Sequence, residues 1–427
     1  MTGAGGEPTR RAWLRAALSV GVTAGLAGCP VFGADGDSDD DPSSDTPAGT
    51  PSEPATATET PTPTASPTPT PTPTREPLVR LSGEFTAYRG DAHRRASAPD
   101  RSGPSDDPGI AYSRELPGPV VQPVGSDSRL LLAGRDWLAA FDPKRGVRKW
   151  NRSLDATVQR PPVVADGTAV LATDTGLLAA EPDGTVAWRG TSTGVAAFAP
   201  TRVGDRFCVV GDRGLALYTD SGRERWSVPL GERALATPAA TTETVYVPVP
   251  RGADESAVFA LTASGGATDW RTAVDAQADI PPVYADSSLY VGRTFGGVTA
   301  LDAETGDEQW STDTPIDYPL AVTDDRVLAA TDEGVAAVTT DGGDQAWSTT
   351  VDGRAVTGPV ADGDAVYVGT ETDDGGGALR ALDRADGSER WTVDLDAPPT
   401  AAPVLFDDAV VVATGGDERG RLVTVAA

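Results

Sequence analysis

One pattern recurs along most of this chain: an apolar strand, a turn with glycine, and a second strand that ends on tryptophan. The clearest copy is VTALDAETGDEQW at residues 298–310. Seven copies end on tryptophans 37 to 44 residues apart, at positions 150, 188, 226, 270, 310, 347 and 391. A repeat of about 40 residues predicts equivalent units that share one continuous core. This regularity outweighs the two or three average domains that a length of 427 residues would otherwise suggest.

Each copy contains short apolar runs separated by turn residues. In the second copy the turns are Asp166-Gly167, Thr175-Gly176 and Asp183-Gly184, and the last run ends on Trp188. Turn signals at such short intervals favour an all-β fold over alternating helices and strands. Four antiparallel strands in about 40 residues form the blade of a β-propeller. The sequence therefore predicts a propeller of four-stranded blades.

The two ends of the repeat array complement each other. After Trp391 the chain supplies three more apolar runs, at 402–405, 409–413 and 421–425, and ends without a fourth. Ahead of the first copy, Ile110–Leu116 resembles an isolated fourth strand with Tyr112 in the tryptophan place. An open ring would expose bare sheet edges. We therefore predict eight blades, closed by pairing of this N-terminal strand with the C-terminal strands. A seven-bladed ring capped by residues 402–427 is the alternative.

The recurring aromatic residue is expected to pack between blades. A buried tryptophan removes roughly 150–250 Å² from water, and a packing contact is needed on every blade, whereas a catalytic group is needed once. The glycines of the turns, such as Gly306 and Gly387, are expected to supply positive φ. The predicted docking residues are Tyr112, Trp150, Trp188, Trp226, Trp270, Trp310, Trp347 and Trp391.

The charge balance limits the possible partners. Asp and Glu outnumber Lys and Arg by 63 to 35, for a net charge of −28, and only Lys144 and Lys149 are lysines. Such a surface repels nucleic acid and anionic lipid. The Asp-rich, Lys-poor composition resembles that of proteins from salt-loving archaea. A single histidine, His93, excludes most metal and Ser-His or Cys-His chemistry, and two cysteines in unlike contexts do not support a disulfide framework.

Residues 1–28 are predicted to form an export signal. TRRAWLR at 9–15 resembles the twin-arginine motif through Arg10 and Arg11, and the apolar run that follows is too short to span a bilayer. That run ends in LAGC, which resembles a lipobox, so Cys29 is the predicted lipidation site. The mature protein is then expected on the outer face of the cytoplasmic membrane, anchored by lipid on Cys29.

Residues 29–77 are predicted to form a disordered stalk between this anchor and a propeller at residues 78–427. An Asp-rich stretch at 34–45 gives way to alternating Pro and Thr at 61–74, with almost nothing apolar to bury. Such sequences favour extended conformations and would reach roughly 150 Å at most.

The repeat resembles a known family at the level of individual residues. Ala300–Trp310 matches the pattern A-x-D-x-x-T-G-x-x-x-W of the pyrroloquinoline-quinone (PQQ) β-propeller superfamily, and Ala381–Trp391 departs from it only at Asp386. Tyr88–Ala92 is similar to the lead-in of secreted and lipid-anchored members. The resemblance implies one of two groups. The quinoprotein dehydrogenases hold PQQ and Ca²⁺ in the central funnel, and the non-catalytic propellers include the BamB-like lipoprotein of outer-membrane assembly.

Several features favour the non-catalytic group. The dehydrogenases carry an adjacent Cys-Cys disulfide, whereas Cys208 stands alone in an apolar strand, and the short repeat spacing leaves little room for the insertions that build their substrate cavity. We therefore predict a monomeric binding or scaffolding module for a protein partner or small ligand, with no cofactor and no metal. The alternative is a PQQ- and Ca²⁺-dependent dehydrogenase that oxidises alcohols or sugars.

Candidate binding residues lie in the loops that lead into inner strands, at one mouth of the ring. They are Arg160, Arg233, Asp279, Asp317 and Arg354. Separately, Asn151-Arg152-Ser153 is an N-glycosylation sequon around the only asparagine, so Asn151 is a possible glycosylation site, with an unmodified turn as the alternative.

Overall fold

The computed structural model describes residues 78–105, 107–158, 160–190, 198–212, 214–294, 296–415 and 419–427. These residues belong to one compact unit. The predictions for the export motif (Arg10 and Arg11), for Cys29 and for the stalk fall on residues 1–77, outside the described part. Within the described part, no helix has the length and hydrophobicity needed to cross a bilayer.

Eight antiparallel sheets of four principal strands follow one another along the chain, which confirms the predicted all-β, eight-bladed propeller. Each blade is numbered by its order, and its first strand is called the inner strand and its last the outer strand. Blade 1 contains β4 (Val124–Ser126), β5 (Arg129–Ala133), β6 (Trp137–Asp142) and β7 (Val147–Ser153), and blade 2 contains β8 (Val163–Ala165), β9 (Thr168–Thr173), β10 (Gly176–Ala180) and β11 (Val186–Gly190). Blade 3 contains β12 (Thr201–Val203), β13 (Arg206–Gly211), β14 (Gly214–Tyr218) and β15 (Glu224–Val228). Blade 4 contains β16 (Ala239–Ala240), β17 (Thr244–Pro250), β18 (Glu255–Thr262) and β19 (Thr268–Asp275).

Blades 5 to 8 repeat this arrangement. Blades 5 and 6 contain β20 (Val283–Ala285), β21 (Ser288–Arg293), β22 (Gly297–Asp302) and β23 (Glu308–Thr312); and β24 (Ala321–Val322), β25 (Arg326–Thr331), β26 (Gly334–Thr339) and β27 (Gln345–Thr350). Blade 7 contains β29 (Val360–Asp362), β30 (Ala365–Glu371), β31 (Gly377–Asp383) and β32 (Glu389–Leu395), and a short additional strand, β28 (Arg354–Ala355), pairs with β30. Blade 8 contains β33 (Val404–Phe406), β34 (Ala409–Gly415), β35 (Gly420–Ala426) and, as its outer strand, β3 (Gly109–Leu116). Two short strands, β1 (Glu84–Phe85) and β2 (Ser97–Ala98), join the inner strands of blades 1 and 7.

The ring closes where the sequence predicted. Strand β3 pairs antiparallel with β35, so that Tyr112 lies opposite Thr424 and Ser113 opposite Val423. The N-terminal strand thereby becomes the fourth strand of blade 8, and the seven-bladed alternative is wrong. Closure covers the edge of β35, which would otherwise present unpaired backbone groups.

The second and third strands of each blade carry the core. In β10 every residue from Gly176 to Ala180 is buried, because both faces of the sheet contact neighbouring blades. The outer strand β7 is mostly exposed. Strands buried on both faces read as continuous apolar runs, and for this reason the central strands were visible in the sequence.

A contact between consecutive blades recurs around the ring, and we call it the clasp. The outer-strand aromatic side chain lies against the turn glycine of the next blade and donates a hydrogen bond to a carbonyl in that turn. A Cβ at Gly343 would lie 2.6 Å from the Trp310 ring, so the glycine is required by contact as well as by its φ of 73°. The described donations run from Tyr112 Oη to Pro143 O (2.5 Å), and from indole Nε1 of Trp150 to Pro182 O (2.9 Å), Trp188 to Asp220 O (2.9 Å), Trp226 to Ala263 O (3.0 Å), Trp270 to Ala303 O (3.0 Å), Trp310 to Thr340 O (2.8 Å) and Trp347 to Arg384 O (3.0 Å).

The degree of burial varies among the clasp residues. Tyr112, Trp310, Trp347 and Trp391 are buried, whereas Trp150, Trp188, Trp226 and Trp270 are half-buried. The clasps made by Trp310, Trp347 and Tyr112 therefore exclude more water than those of blades 1 to 4.

Candidate functional site

The segment that precedes the repeats closes one end of the ring. Residues 79–104, which we call the plug, cross the ends of the inner strands and offer backbone carbonyls to them. Strand β1 also pairs with β4 of blade 1. The plug carbonyls accept hydrogen bonds from Val164 N to Thr86 O (2.7 Å), Ala240 N to Ala92 O (3.0 Å), Tyr284 N to His93 O (2.9 Å), Val322 N to Arg95 O (2.8 Å), Ala361 N to Ala96 O (3.0 Å) and Asp407 N to Ser82 O (3.0 Å). Because blades on all sides of the ring are contacted, the plug covers the mouth at which the inner strands end.

Arg94 anchors the plug to blades 3 and 4. The side chain is fully buried and donates to Pro238 O at 3.3 Å and Pro200 O at 3.4 Å. It also donates to Tyr88 O and to Thr201 Oγ1. Burial lowers the pKa of Arg94 to about 10, so the guanidinium stays charged at neutral pH.

Arg89 anchors the plug to blades 6 and 7. Its guanidinium is 1% exposed, and Nη2 donates to Pro319 O (3.2 Å), Leu320 O (2.6 Å) and Pro359 O (2.7 Å). Burial lowers the pKa of Arg89 to about 10 as well. Carbonyl dipoles solvate both cations, which reduces the large cost of burying a charge. Within the described chain, Arg89 Nε and Nη1 have no hydrogen-bond partner.

Sequence reasoning missed this role of the plug. Tyr88–Ala92 resembled a family lead-in, but the segment lies outside the repeat, so periodicity carries no information about its path. His93 belongs to the same segment, where Nδ1 lies 3.8 Å from Asp91 Oδ2 and the ring lies 5.2 Å from that of Tyr284.

The opposite mouth holds the five predicted binding residues. Alternate connections of an antiparallel blade lie at opposite ends, so the loops that lead into inner strands share this mouth with the loops between second and third strands. We call it the loop mouth. Arg233 lies 3.6 Å from Asp212, and Arg354 forms an ion pair with Glu371.

The other three predicted residues also contact nearby loops or strands. Asp279 accepts a hydrogen bond from Thr294 Oγ1 at 2.6 Å. Arg160 lies over the Phe198 ring at 5.8 Å, and Asp317 N donates to Ala330 O at 2.9 Å. The contacts described here tie each residue to its neighbours around the rim. They do not assemble the five into one cluster.

The ligand set expected for a PQQ- and Ca²⁺-binding funnel does not fit the described residues. No three His, Cys, Asp or Glu side chains of the described chain lie together as metal ligands. Cys208 is fully buried in β13, and burial raises the pKa of its thiol to about 12, so it is an unreactive thiol and lacks an adjacent cysteine. Arg89 and Arg94 lie buried against carbonyls that precede or begin the inner strands of four blades.

Asn151 lies in the outer strand β7, opposite Ala139, and not in a turn. Its side chain is exposed. The sequon thus occupies an accessible strand edge, and glycosylation there stays a prediction.

Comparisons with known proteins agree with the architecture. The family model described as outer membrane protein assembly factor BamB matches residues 99–200, 177–252, 216–316 and 294–427. A comparison with curated protein sequences finds no significant match.

Among solved structures, BamB from Moraxella catarrhalis is 18% identical with a TM-score of 0.62, covering 74% of this chain and 99% of its own. The quinohemoprotein alcohol dehydrogenase from Comamonas testosteroni is 14% identical with a TM-score of 0.67, covering 80% of each chain. The computationally designed Ika8 protein is 14% identical with a TM-score of 0.62, covering 74% of this chain and 98% of its own. Such low identities establish a shared fold and no shared activity.

Proposed function

The chain belongs to the family of outer membrane protein assembly factor BamB, and from this premise we propose that it is a non-catalytic propeller that binds a protein partner at its loop mouth. The plug is the observation that carries the proposal. It covers one mouth and buries two guanidinium groups against the blades, so we assign partner binding to the rim of the loop mouth. Propellers commonly bind ligands through loops held by a rigid ring.

The proposal includes export and anchoring. Arg10 and Arg11 direct twin-arginine export, and Cys29 carries the lipid that holds the protein on the outer face of the cytoplasmic membrane. The first described residues lie on the plugged side, where Val79 N donates to Lys144 O at 2.9 Å in a turn of blade 1.

The partner proposal is tested by site-specific crosslinking in intact membranes at high salt. A photoreactive amino acid replaces Arg233 or Asp279 at the loop mouth, and a matched variant carries it at Asp220 in a turn on the plugged side. We expect the same discrete adduct from both mouth positions and none from Asp220. Adducts of equal yield from all three positions would contradict binding at the loop mouth.

The alternative function is tested on the same purified protein. A dehydrogenase should retain PQQ stoichiometrically in the presence of Ca²⁺ and reduce an artificial dye with alcohols or aldose sugars. We expect neither retention nor turnover, because the described residues lack a Ca²⁺ ligand set. Turnover that depends on both additions would replace the proposed function with the alternative.

A further inference from the structure

One inner strand departs from the repeat. The residue in the middle of the inner strand is uncharged in seven blades and an arginine in blade 3. These equivalent residues are Gly125, Val164, Arg202, Ala240, Tyr284, Val322, Ala361 and Leu405. Packing requirements are shared by all blades, so a charge that occurs in one blade only indicates a different role.

The same blade also lacks a contact with the plug that five other blades make. In blades 2, 4, 5, 6 and 7 the N–H of the equivalent residue donates to a plug carbonyl. Among the described hydrogen bonds, Arg202 N makes no such donation, and the plug reaches blade 3 through the Arg94 side chain instead. Two cavities flank this gap, with volumes of about 450 Å³ and about 230 Å³, and both are lined by Thr86 and Arg202.

A second cation lines the larger cavity. Arg129 begins β5 of blade 1, and its Nη2 donates to Gly167 O at 2.5 Å. Arg202 Nε donates to Gly204 O at 2.8 Å. Both side chains are half-buried, and neither forms an ion pair with a carboxylate of the described chain.

Arginines at the start of comparable strands have a counter-charge, whereas Arg129 has none in the described chain. Arg206 and Arg326 begin the equivalent strands of blades 3 and 6, and each lies beside the preceding aspartate, at 3.3 Å and 3.1 Å. The carboxylates of Glu84 and Asp166 also line the cavity, but neither forms an ion pair with Arg129 or Arg202. Partly desolvated cations gain most from an anion that hydrogen-bonds to them directly.

We infer that the larger cavity binds a small organic oxyanion, a carboxylate or phosphate ester, between Arg129 and Arg202. Beside the apolar Leu131 and Val164, the lining also contains polar side chains that suit a ligand with hydroxyl groups. Ser126 Oγ and Ser128 Oγ lie 2.9 Å apart and can donate or accept, and the Glu84 carboxylate accepts. A sugar acid or a sugar phosphate has this combination of groups. The cavity lies on the plugged side, so this binding is separate from the partner proposed for the loop mouth.

Calorimetry with the full chain at fixed ionic strength tests the inference, with glucose 6-phosphate, glucuronate and uncharged glucose as probes. We expect at least one anion to bind once per chain and glucose to bind far more weakly. Preference for the phosphate or for the carboxylate identifies which oxyanion the site takes. Glucose binding as tightly as both anions, or no binding of any probe, would refute the inference.

Substitutions that copy residues from equivalent positions of another blade test where the anion binds. Arg202→Val and Arg129→Thr install the residues of blade 2, Val164 and Thr168, and should each weaken anion binding about tenfold or more, since each removes charge-assisted hydrogen bonds. Arg326→Thr is the matched control and should bind as the parent does. Equal affinities in all three variants would show that the anion binds elsewhere. Crosslinking at the loop mouth should be unchanged in Arg202→Val, so failure of either proposal is visible without the other.

Discussion

The clasp and the plug hold the same ring together by different means. The clasp is an aromatic ring on a glycine, joined by one hydrogen bond to a carbonyl, and it recurs between consecutive blades. The plug occurs once, and it joins the inner strands through backbone pairing and two buried arginines. The clasp acts between neighbours, whereas the plug acts on most blades at the same time.

This difference helps to separate residues that serve packing in every blade from residues with a role in one place only. Carboxylates such as Asp302 and Glu304 recur in the clasp turns, where Asp302 accepts hydrogen bonds from the N–H groups of Glu304 and Thr305. They stabilise turns and do not form a catalytic cluster. Features that occur only once, such as the plug and Arg202, are not explained by packing needs that every blade shares. They are therefore the places to search for a binding function.

The largest effect is expected from loss of one clasp. Trp310→Ala removes a buried indole and its hydrogen bond to Thr340 O, which should lower the free energy of unfolding by about 3–5 kcal/mol. Chemical denaturation measures the loss, and hydrogen exchange should show it concentrated between blades 5 and 6. A loss below about 1 kcal/mol would contradict the clasp as a major packing contact.

Loss of a plug anchor should give a smaller but more widespread effect. Arg94→Met removes the donor to the carbonyls of Pro200 and Tyr88, whereas Pro238 O keeps its bond from Thr201 Oγ1, and the expected cost is about 2–3 kcal/mol. Hydrogen exchange should accelerate at the inner-strand amides that donate to the plug, Ala240 and Tyr284 among them. Acceleration confined to blades 3 and 4 would mean that the plug does not couple the blades.

A pair of glycine variants separates backbone strain from contact within the clasp. Gly387 and Gly231 have similar φ values of 77° and 84°, but a Cβ at Gly387 would lie 2.5 Å from Trp347, whereas Gly231 has open space. Gly231→Ala should cost about 1 kcal/mol for the positive φ, and Gly387→Ala about 1–2 kcal/mol more. If thermal or chemical denaturation shows equal losses of stability in the two variants, close contact between the glycine and the indole is not required in the clasp.

The smallest effect at neutral pH is expected at the closing blade. Tyr112→Phe keeps the ring and removes the hydrogen bond to Pro143 O, at a cost of about 1 kcal/mol.

The pH dependence of the same variant provides a second test. Burial raises the pKa of Tyr112 to about 12 from its usual 10, so the folded state retains this proton more tightly than the unfolded state does. The stability that this group contributes to the parent is complete below pH 10. It is lost as the pH rises through about 12, by up to about 3 kcal/mol. Denaturation at several pH values should show the variant overtaking the parent in this range. A constant difference would mean that the hydroxyl ionises equally in both states.

The fold could be predicted because the sequence contains seven copies of the same local pattern. Short apolar runs and glycine turns define each strand through nearby residues, and Tyr112 in the tryptophan place revealed the closing strand. The individual binding residues were harder to predict. The order of loops along the chain assigned Arg233 and Asp279 to one mouth, but side-chain contacts with Asp212 and Thr294 depend on how neighbouring loops pack.

The sequence by itself thus determined the repeat, the number of blades and the closure of the ring, since these follow from periodic local signals. Only the tertiary structure decided the path of residues 79–104, the burial of Arg89 and Arg94, the contact of each turn glycine with an indole, and the meeting of Arg129 with Arg202 at one cavity. Those features join residues from different blades. Their positions follow from long-range packing, for which a local pattern carries no signal.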